Sequence, residues 1–218
     1  MEKFKSEQFI QKRNDLLAEK VIKSLKTRNM EGHYARTKEE ALKKALELIP
    51  EGSSVSWGGA ISAYGIGLME GLYDNGNYII KDREKADSRE ESEKIVREAF
   101  NVDFYIGGVN AMTENGILVN VDGASNRVAA YSYGPKHLLL IVSLNKVTKS
   151  LEAAIERART MAAPINVQRF GLNTPCTTTG VCHDCVHPDC ICSNILITRF
   201  SRTPNRIKII LANENLGF

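Results

Sequence analysis

The sequence predicts an α/β fold on three observations: short β-rich runs alternate with amphipathic helical stretches, glycine pairs close two of those runs, and the chain can bury one core. With 218 residues, 43% of them hydrophobic and 25% charged, a single domain over 1–218 is expected. The formal charge of +3 is small and the basic residues are dispersed, so no footprint for nucleic acid stands out.

The elements follow in order. Over residues 6–28, Ile10, Leu17, Val21 and Leu25 recur near helical spacing with charge on the other faces, so an amphipathic helix is expected within an N-terminal helical segment, 1–36. The first thirty residues interleave Lys3, Lys5, Lys12, Arg13, Lys20 and Lys23 with Glu2, Glu7, Asp15 and Glu19, and hold no apolar core like that of a signal peptide. Apolar runs such as 138–142 fall far short of the roughly 20 residues that cross a bilayer. A soluble, cytoplasmic protein without membrane contact is expected.

Thr37 followed by Glu40 has capping-box spacing, and Leu42, Ala45, Leu46 and Ile49 mark one face of a second helix that ends at Pro50. A turn at Pro50-Glu51-Gly52 leads into a strand at 54–57. Gly58-Gly59 releases that strand into a helix expected at about 62–72. Residues 78–80 read as a strand, 89–100 as a helix, and 104–106 as a strand ending on Gly107-Gly108. Residues 117–121 and 138–142 are β-rich, 150–161 is a helix with Leu151, Ala154, Ile155 and Ala158 on one side, and 206–211 is the final strand. Between them, 173–194 is rich in Thr, Pro, Gly and Cys and reads as a loop.

Two kinds of residue suggest chemistry. Glycine turns at the carboxyl ends of strands let a backbone approach an anion, so Gly58, Gly59, Gly107 and Gly108 are candidate binding positions as well as tight turns. Gly65, Gly67 and Gly71 do not have the spacing of a dinucleotide fingerprint, and no Walker-type phosphate loop is present. Residues 107–130 set Asn110, Glu114, Asn126 and Arg127 in turns between apolar runs. A carboxylate, two amides and a guanidinium can form a polar site there or can be ordinary turn residues. His137 is a candidate acid or base, or a packed histidine.

The five cysteines fall within seventeen residues, Cys176-Thr-Thr-Thr-Gly-Val-Cys182-His-Asp-Cys185-Val-His-Pro-Asp-Cys190-Ile-Cys192. Disulfides are disfavoured by the odd count and the absence of a signal peptide, which leaves metal binding as the leading account. Cys182 and Cys185 form a Cys-x-x-Cys pair, and Cys176 and Cys192 flank it at distances a loop can fold across, so these four are the expected ligands. Cys190 is a spare thiol or a substitute ligand, and His183 and His187 are further candidates.

The residues Trp57-Gly58-Gly59, Gly108-Val-Asn-Ala-Met-Thr-Glu-Asn-Gly, Asn126-Arg127-Val-Ala, Gly134-Pro-Lys-His137 and Glu214-Asn-Leu-Gly-Phe218 together resemble the LUD-domain family, named for lactate utilisation. That resemblance covers nearly the whole chain. It implies a central, mostly parallel sheet flanked by helices, like that of the sugar-phosphate isomerase and CoA-transferase group, and a part in oxidation of lactate or a related small carboxylic acid beside iron-sulfur subunits. Thr113-Glu114-Asn115-Gly116 further resembles the Glu-Asn-Gly element of class I CoA-transferases, which implies Glu114 as a nucleophile toward an acyl-CoA thioester. A similar Thr-Gly-x-Cys-x-Asp-Cys segment occurs in a branch of the family, where the position of Cys190 is usually basic. The redox setting of the family favours a [4Fe-4S] cluster, and the lack of a ferredoxin-like module favours zinc.

Three readings compete. One is an enzyme of small carboxylic acids, with Glu114 reactive and Arg127 clamping an anionic metabolite. The second is a subunit of a hydroxy-acid oxidising system that carries a cluster. The third is a non-catalytic metabolite-binding domain with structural zinc. Substrate, catalysis and assembly, a homodimer included, are open at this stage.

Overall fold

The computed structural model describes residues 6–218, so residues 1–5 of the expected N-terminal segment lie outside the described residues. Helix α1 (Ser6–Lys26) buries Leu17, Ala18, Val21 and Leu25, whereas Ile10 is exposed, so burial begins only in its second half. The expected helical segment 1–36 is corrected at its end: β1 (Glu31–Ala35) is a strand. Thr37 caps α2 (Lys38–Leu48), its hydroxyl accepting from Glu40 N at 3.2 Å. Strand β2 (Ser54–Trp57) then enters the glycine turn.

The helix expected over 62–72 is two helices, α3 (Ile61–Gly65) and α4 (Leu68–Asn75), because Gly67 adopts φ +75° and breaks the helical register. Strand β3 (Ile79–Lys81) and helix α5 (Arg89–Glu98) lead to β4 (Phe104–Gly107). Beyond it come β5 (Ala111–Thr113), β6 (Leu118–Asp122), α6 (Asn126–Ser132) and β7 (His137–Ser143). Asn126 and Arg127 thus open a helix instead of lying in a turn. Strand β8 (Val147–Thr148) precedes α7 (Leu151–Glu156), which runs through a π-helical stretch (Arg157–Ala162) into α8 (Ala163–Val167). Pro164, which has no N–H to give, sits where the register returns from π to α. The expected 173–194 loop contains a short helix, α9 (Pro175–Thr179), and is followed by an unforeseen strand, β9 (Asn194–Thr198), before β10 (Ile207–Ala212).

The main sheet has six strands in the order β1-β10-β7-β4-β2-β3, and every pairing in it is parallel. Its sides alternate as a period of two requires. Leu138, Leu140 and Val142 of β7 join Val21 and Leu25 of α1 on one face, while Leu139 and Ile141 meet Ala41, Ala45, Leu68 and Leu72 on the other. A second sheet, ordered β8-β5-β6-β9, turns Met112 and Leu118 toward the α1 side. Its opposite face packs Ala111, Val119 and Val121 against Ala154, Ala158 and Ala163 of the long helical run.

Strand order reverses between β2 and β4: β3 lies beyond β2 on one side, and β4, β7 and β10 follow on the other. The carboxyl ends of β2, β4 and β7 therefore converge beside a topological switch point, where open parallel sheets bind ligands. Among the described residues, no helix is long and apolar enough to cross a membrane.

Candidate functional site

A cavity of about 410 Å³ opens at that edge. The turns after β2 and β4 supply Gly58, Gly59, Gly108 and Asn110, the end of β6 and start of α6 supply Asp122, Asn126 and Arg127, and the turn after β7 supplies Lys146. Asn166, Phe170, Leu172 and Ile191 close it from the α8 side, and Phe218 and Ser62 from the other. Its charged side chains are those of Arg83, Arg127 and Lys146 against the single acidic side chain of Asp122, so the side chains of the wall are net positive. Asp122 is engaged, its carboxylate accepting from Val128 N at 3.0 Å at the start of α6.

The glycines are needed for the packing behind this wall. A Cβ on Gly58 would lie 2.3 Å from Tyr105 Oη, and one on Gly107 would lie 1.9 Å from Tyr131 Oη. The Tyr131 hydroxyl instead donates to Gly108 O at 2.8 Å. Gly107 thus works from behind the cavity and does not line it.

Arg127 is fixed before any ligand arrives. Its Nη2 donates to Asn110 Oδ1 at 3.2 Å and to Val121 O at 2.5 Å, and Asn110 Oδ1 also accepts from Val121 N at 3.0 Å. Arg157, from the π-helical stretch, donates to Asn110 O at 2.5 Å. With Nη2 engaged in this way the guanidinium is held in place, and its Nη1 and Nε N–H groups remain to donate to a carboxylate or phosphate.

Lys146 was not singled out by the sequence and is the most perturbed group of the cavity. It is 3% exposed, its Nζ donates to Ser62 Oγ at 3.1 Å, and Ser62 Oγ donates to Leu216 O at 3.2 Å. Among the described residues no carboxylate pairs with it. Burial, followed by the positive charges of Arg157 and Arg127, pushes its pKa down to about 7. Its position just past the carboxyl end of a central strand with an unbroken apolar run, 138–142, was the signal that could have found it.

The structure does not bring Glu114 to the cavity. Its carboxylate pairs with Lys20 of α1 and, at 3.3 Å, with Lys149. These two ammonium groups, Lys20 first, hold its pKa below the ordinary carboxylate value. His137 lies at the amino end of β7, stacked 4.9 Å from Phe104, with its pKa lowered chiefly by burial.

The five thiols are all free and half-buried. Cys176 Sγ lies 3.3 Å from Thr174 Oγ1, Cys182 Sγ accepts from Asp184 N at 3.5 Å, and Cys192 packs against the alanine face of the second sheet. Burial and then the charges of Cys190, Cys182, Cys185 and Cys176 raise Cys192 to about 11, so the other four surround it within electrostatic reach. His183 pairs with Thr179 Oγ1 at 2.8 Å, and His187 Nδ1 accepts from Asp189 N at 3.2 Å. In kind, this donor set suits a thiophilic metal. As positioned, no group of three or more His, Cys, Asp or Glu among the described residues converges to hold one. The segment also forms part of the cavity wall: a Cβ on Gly123 would meet Cys190 O at 3.0 Å and Ile191 Cα at 2.9 Å.

Comparison with known proteins gives a fold and a family. A DUF162 family protein from Deinococcus radiodurans superposes with a TM-score of 0.54 at 10% identity, over 91% of this chain and 97% of the other. Ribose 5-phosphate isomerase from Plasmodium falciparum matches with a TM-score of 0.36 at 17% identity, over 51% of this chain and 52% of its own. Ribose 5-phosphate isomerase A from Neisseria gonorrhoeae matches with 0.36 at 20%, over 52% and 54%. No curated protein matches the chain in sequence. The sequence profile of the LUD domain matches residues 18–212, a span that runs from within α1 through β10, and the chain belongs to the LUD-domain family.

Proposed function

We propose that this protein binds a small carboxylic-acid anion, of the class of lactate and related hydroxy or oxo acids, at the carboxyl edge of its parallel sheet and takes part in the metabolism of that acid. The observation that carries the reading is the cavity's net positive wall, with a pre-fixed Arg127 guanidinium facing a buried Lys146. Family membership supports the class of acid only in outline. The carboxylate docks on Arg127, and the glycine turns at 58–59 and 108 leave backbone room for the rest of the molecule.

Acyl transfer by Glu114 draws no support from the geometry, because that carboxylate is engaged with Lys20 and Lys149 outside the cavity. Isothermal titration with lactate, pyruvate and malonate tests the reading. Binding that falls at least tenfold in Arg127→Ala, and less in Arg127→Lys, supports it. Equal binding by wild type and R127A refutes the site.

A second element concerns the cysteines. Free thiols grouped around Cys192 favour uptake of a thiophilic metal by Cys176, Cys182, Cys185 and Cys192, with local rearrangement to converge. Metal analysis with an absorption spectrum on anaerobically purified protein decides it. A brown protein with iron and sulfide supports a [4Fe-4S] cluster, one zinc per chain supports a structural site, and metal-free protein that takes up neither refutes both.

A further inference from the structure

We propose that Lys146 is a nucleophile that forms a carbon–nitrogen double bond with the carbonyl carbon of a 2-oxo acid held in the cavity. This rests on the anion-binding reading above and adds a covalent step to it.

Three placements argue for it. First, Lys146 differs from the lysines that are tied to acids: Lys20 and Lys149 to Glu114, Lys136 to Asp103, Lys208 to Glu31. It is sealed at the cavity wall with only the Ser62 hydroxyl as hydrogen-bond partner. Second, the charges that act on it are the guanidiniums of Arg157 and Arg127, and the one acidic side chain of the wall, Asp122, is already engaged by Val128 N. An amine buried among like charges sheds its proton near neutrality, and a neutral amine is the nucleophilic form. Third, the Lys146–Ser62 pair is packed closely by the chain's final residues. A Cβ on Gly217 would stand 3.0 Å from Lys146 Nζ and 2.8 Å from Ser62 Oγ, so the backbone itself excludes water from one side of the pair.

The step balances without a further reactant. The Nζ lone pair attacks the carbonyl carbon, the C=O π electrons pass to oxygen, and the ammonium proton moves to that oxygen with the Ser62 hydroxyl as relay. The carbinolamine then loses its hydroxyl together with the remaining N–H proton as water, leaving the neutral imine, which takes up one proton from solvent on the open side of the cavity to become the iminium. The substrate carboxylate on Arg127 supplies the negative charge that this cationic wall lacks, so the iminium forms beside an anion that arrives with it.

Borohydride trapping tests the proposal. Wild-type protein is incubated with pyruvate, reduced with cyanoborohydride, digested and mapped by mass spectrometry. The expected result is one dominant adduct on the Lys146 peptide, absent in Lys146→Arg and Lys146→Met, with a trapping rate that rises as pH increases through about 7. In wild type alone, competitive acetylation should label Lys146 with the same pH midpoint, well below that of Lys149. Pyruvate binding by calorimetry without an adduct on Lys146 overturns the imine and leaves the cavity reading intact. Adducts spread over exposed lysines and unchanged in K146R also overturn it. Failure of lactate and pyruvate alike to bind overturns both.

Discussion

Replacing Lys146 with methionine removes a buried amine while keeping an unbranched apolar chain, and its effect on stability can be worked out with a sign. In the unfolded chain the amine titrates near its ordinary value of 10.5, whereas in the folded protein it titrates near 7. Between those values the unfolded state binds more protons, so the wild-type protein gains stability as pH rises through that window. Below about 7 the folded protein carries a charged lysine among guanidiniums, and the cost is at its full value. The fall from 10.5 to about 7 corresponds to ~5 kcal/mol at about 1.36 kcal/mol per pH unit, an upper figure for a 3% exposed group that gives up one hydrogen bond on substitution.

Lys146→Met is therefore expected to be more stable than wild type by a few kcal/mol at pH 6.5, with the advantage shrinking steadily toward pH 10. Urea unfolding of both proteins at matched pH measures the difference, in which the common titration of tyrosines and carboxylates cancels. A K146M protein less stable than wild type at pH 6.5, or a difference that does not vary with pH, would show that the lysine is neither desolvated nor crowded by Arg127 and Arg157.

Other outcomes follow from the same geometry. Glu114→Gln should leave lactate and pyruvate affinity unchanged while hydrogen exchange in residues 6–26 speeds up, since the carboxylate ties α1 to the body. Because its folded pKa is lowered, that stabilisation is present above the ordinary carboxylate range and lost as pH falls through the lowered value; loss of ligand binding in E114Q would place the carboxylate in the chemistry instead. Gly107→Ala should displace Tyr131, break its bond to Gly108 O and cost roughly 1–3 kcal/mol in urea unfolding. Lactate, which has no keto group with which an amine could form an imine, should bind more tightly as pH falls through about 7 and Lys146 gains its charge, an increase that K146M abolishes in calorimetry.

Much of the fold could be read from local signals that the structure retains. The Thr37 cap, the apolar run of β7 and the glycines after β2 and β4 each reflect one dominant local constraint. The elements that escaped lack such a constraint. Strand β1, Glu-Gly-His-Tyr-Ala, is an edge strand with one buried residue and no apolar alternation. Helix α6 begins after Ser125 in a left-handed conformation without a side-chain cap, and β9 is an exposed edge that follows a cysteine-rich stretch. The break at Gly67 looks in sequence like a continuous helix.

The site divides in the same way. Gly58, Gly59, Gly108, Asn110, Asn126 and Arg127 could be picked out because glycine turns and polar residues at strand ends have a recognisable texture, and the fold gathers them into one cavity. Glu114 has the same texture, yet the Thr113–Gly116 turn directs it toward α1, a tertiary fact that no local pattern contains. Lys146 and Ser62 look like a surface lysine and a helix-start serine; only the packing of the final residues over them makes them a buried pair.

The central claim, that the cationic cavity is a site for a small carboxylate, is tested most directly by a crystal structure of the protein with bound pyruvate. The carboxylate is expected on the Arg127 guanidinium and the keto carbon within bonding reach of Lys146 Nζ. Pyruvate found instead between Glu114, Lys20 and Lys149, or nowhere in the cavity at saturating concentration, would contradict it.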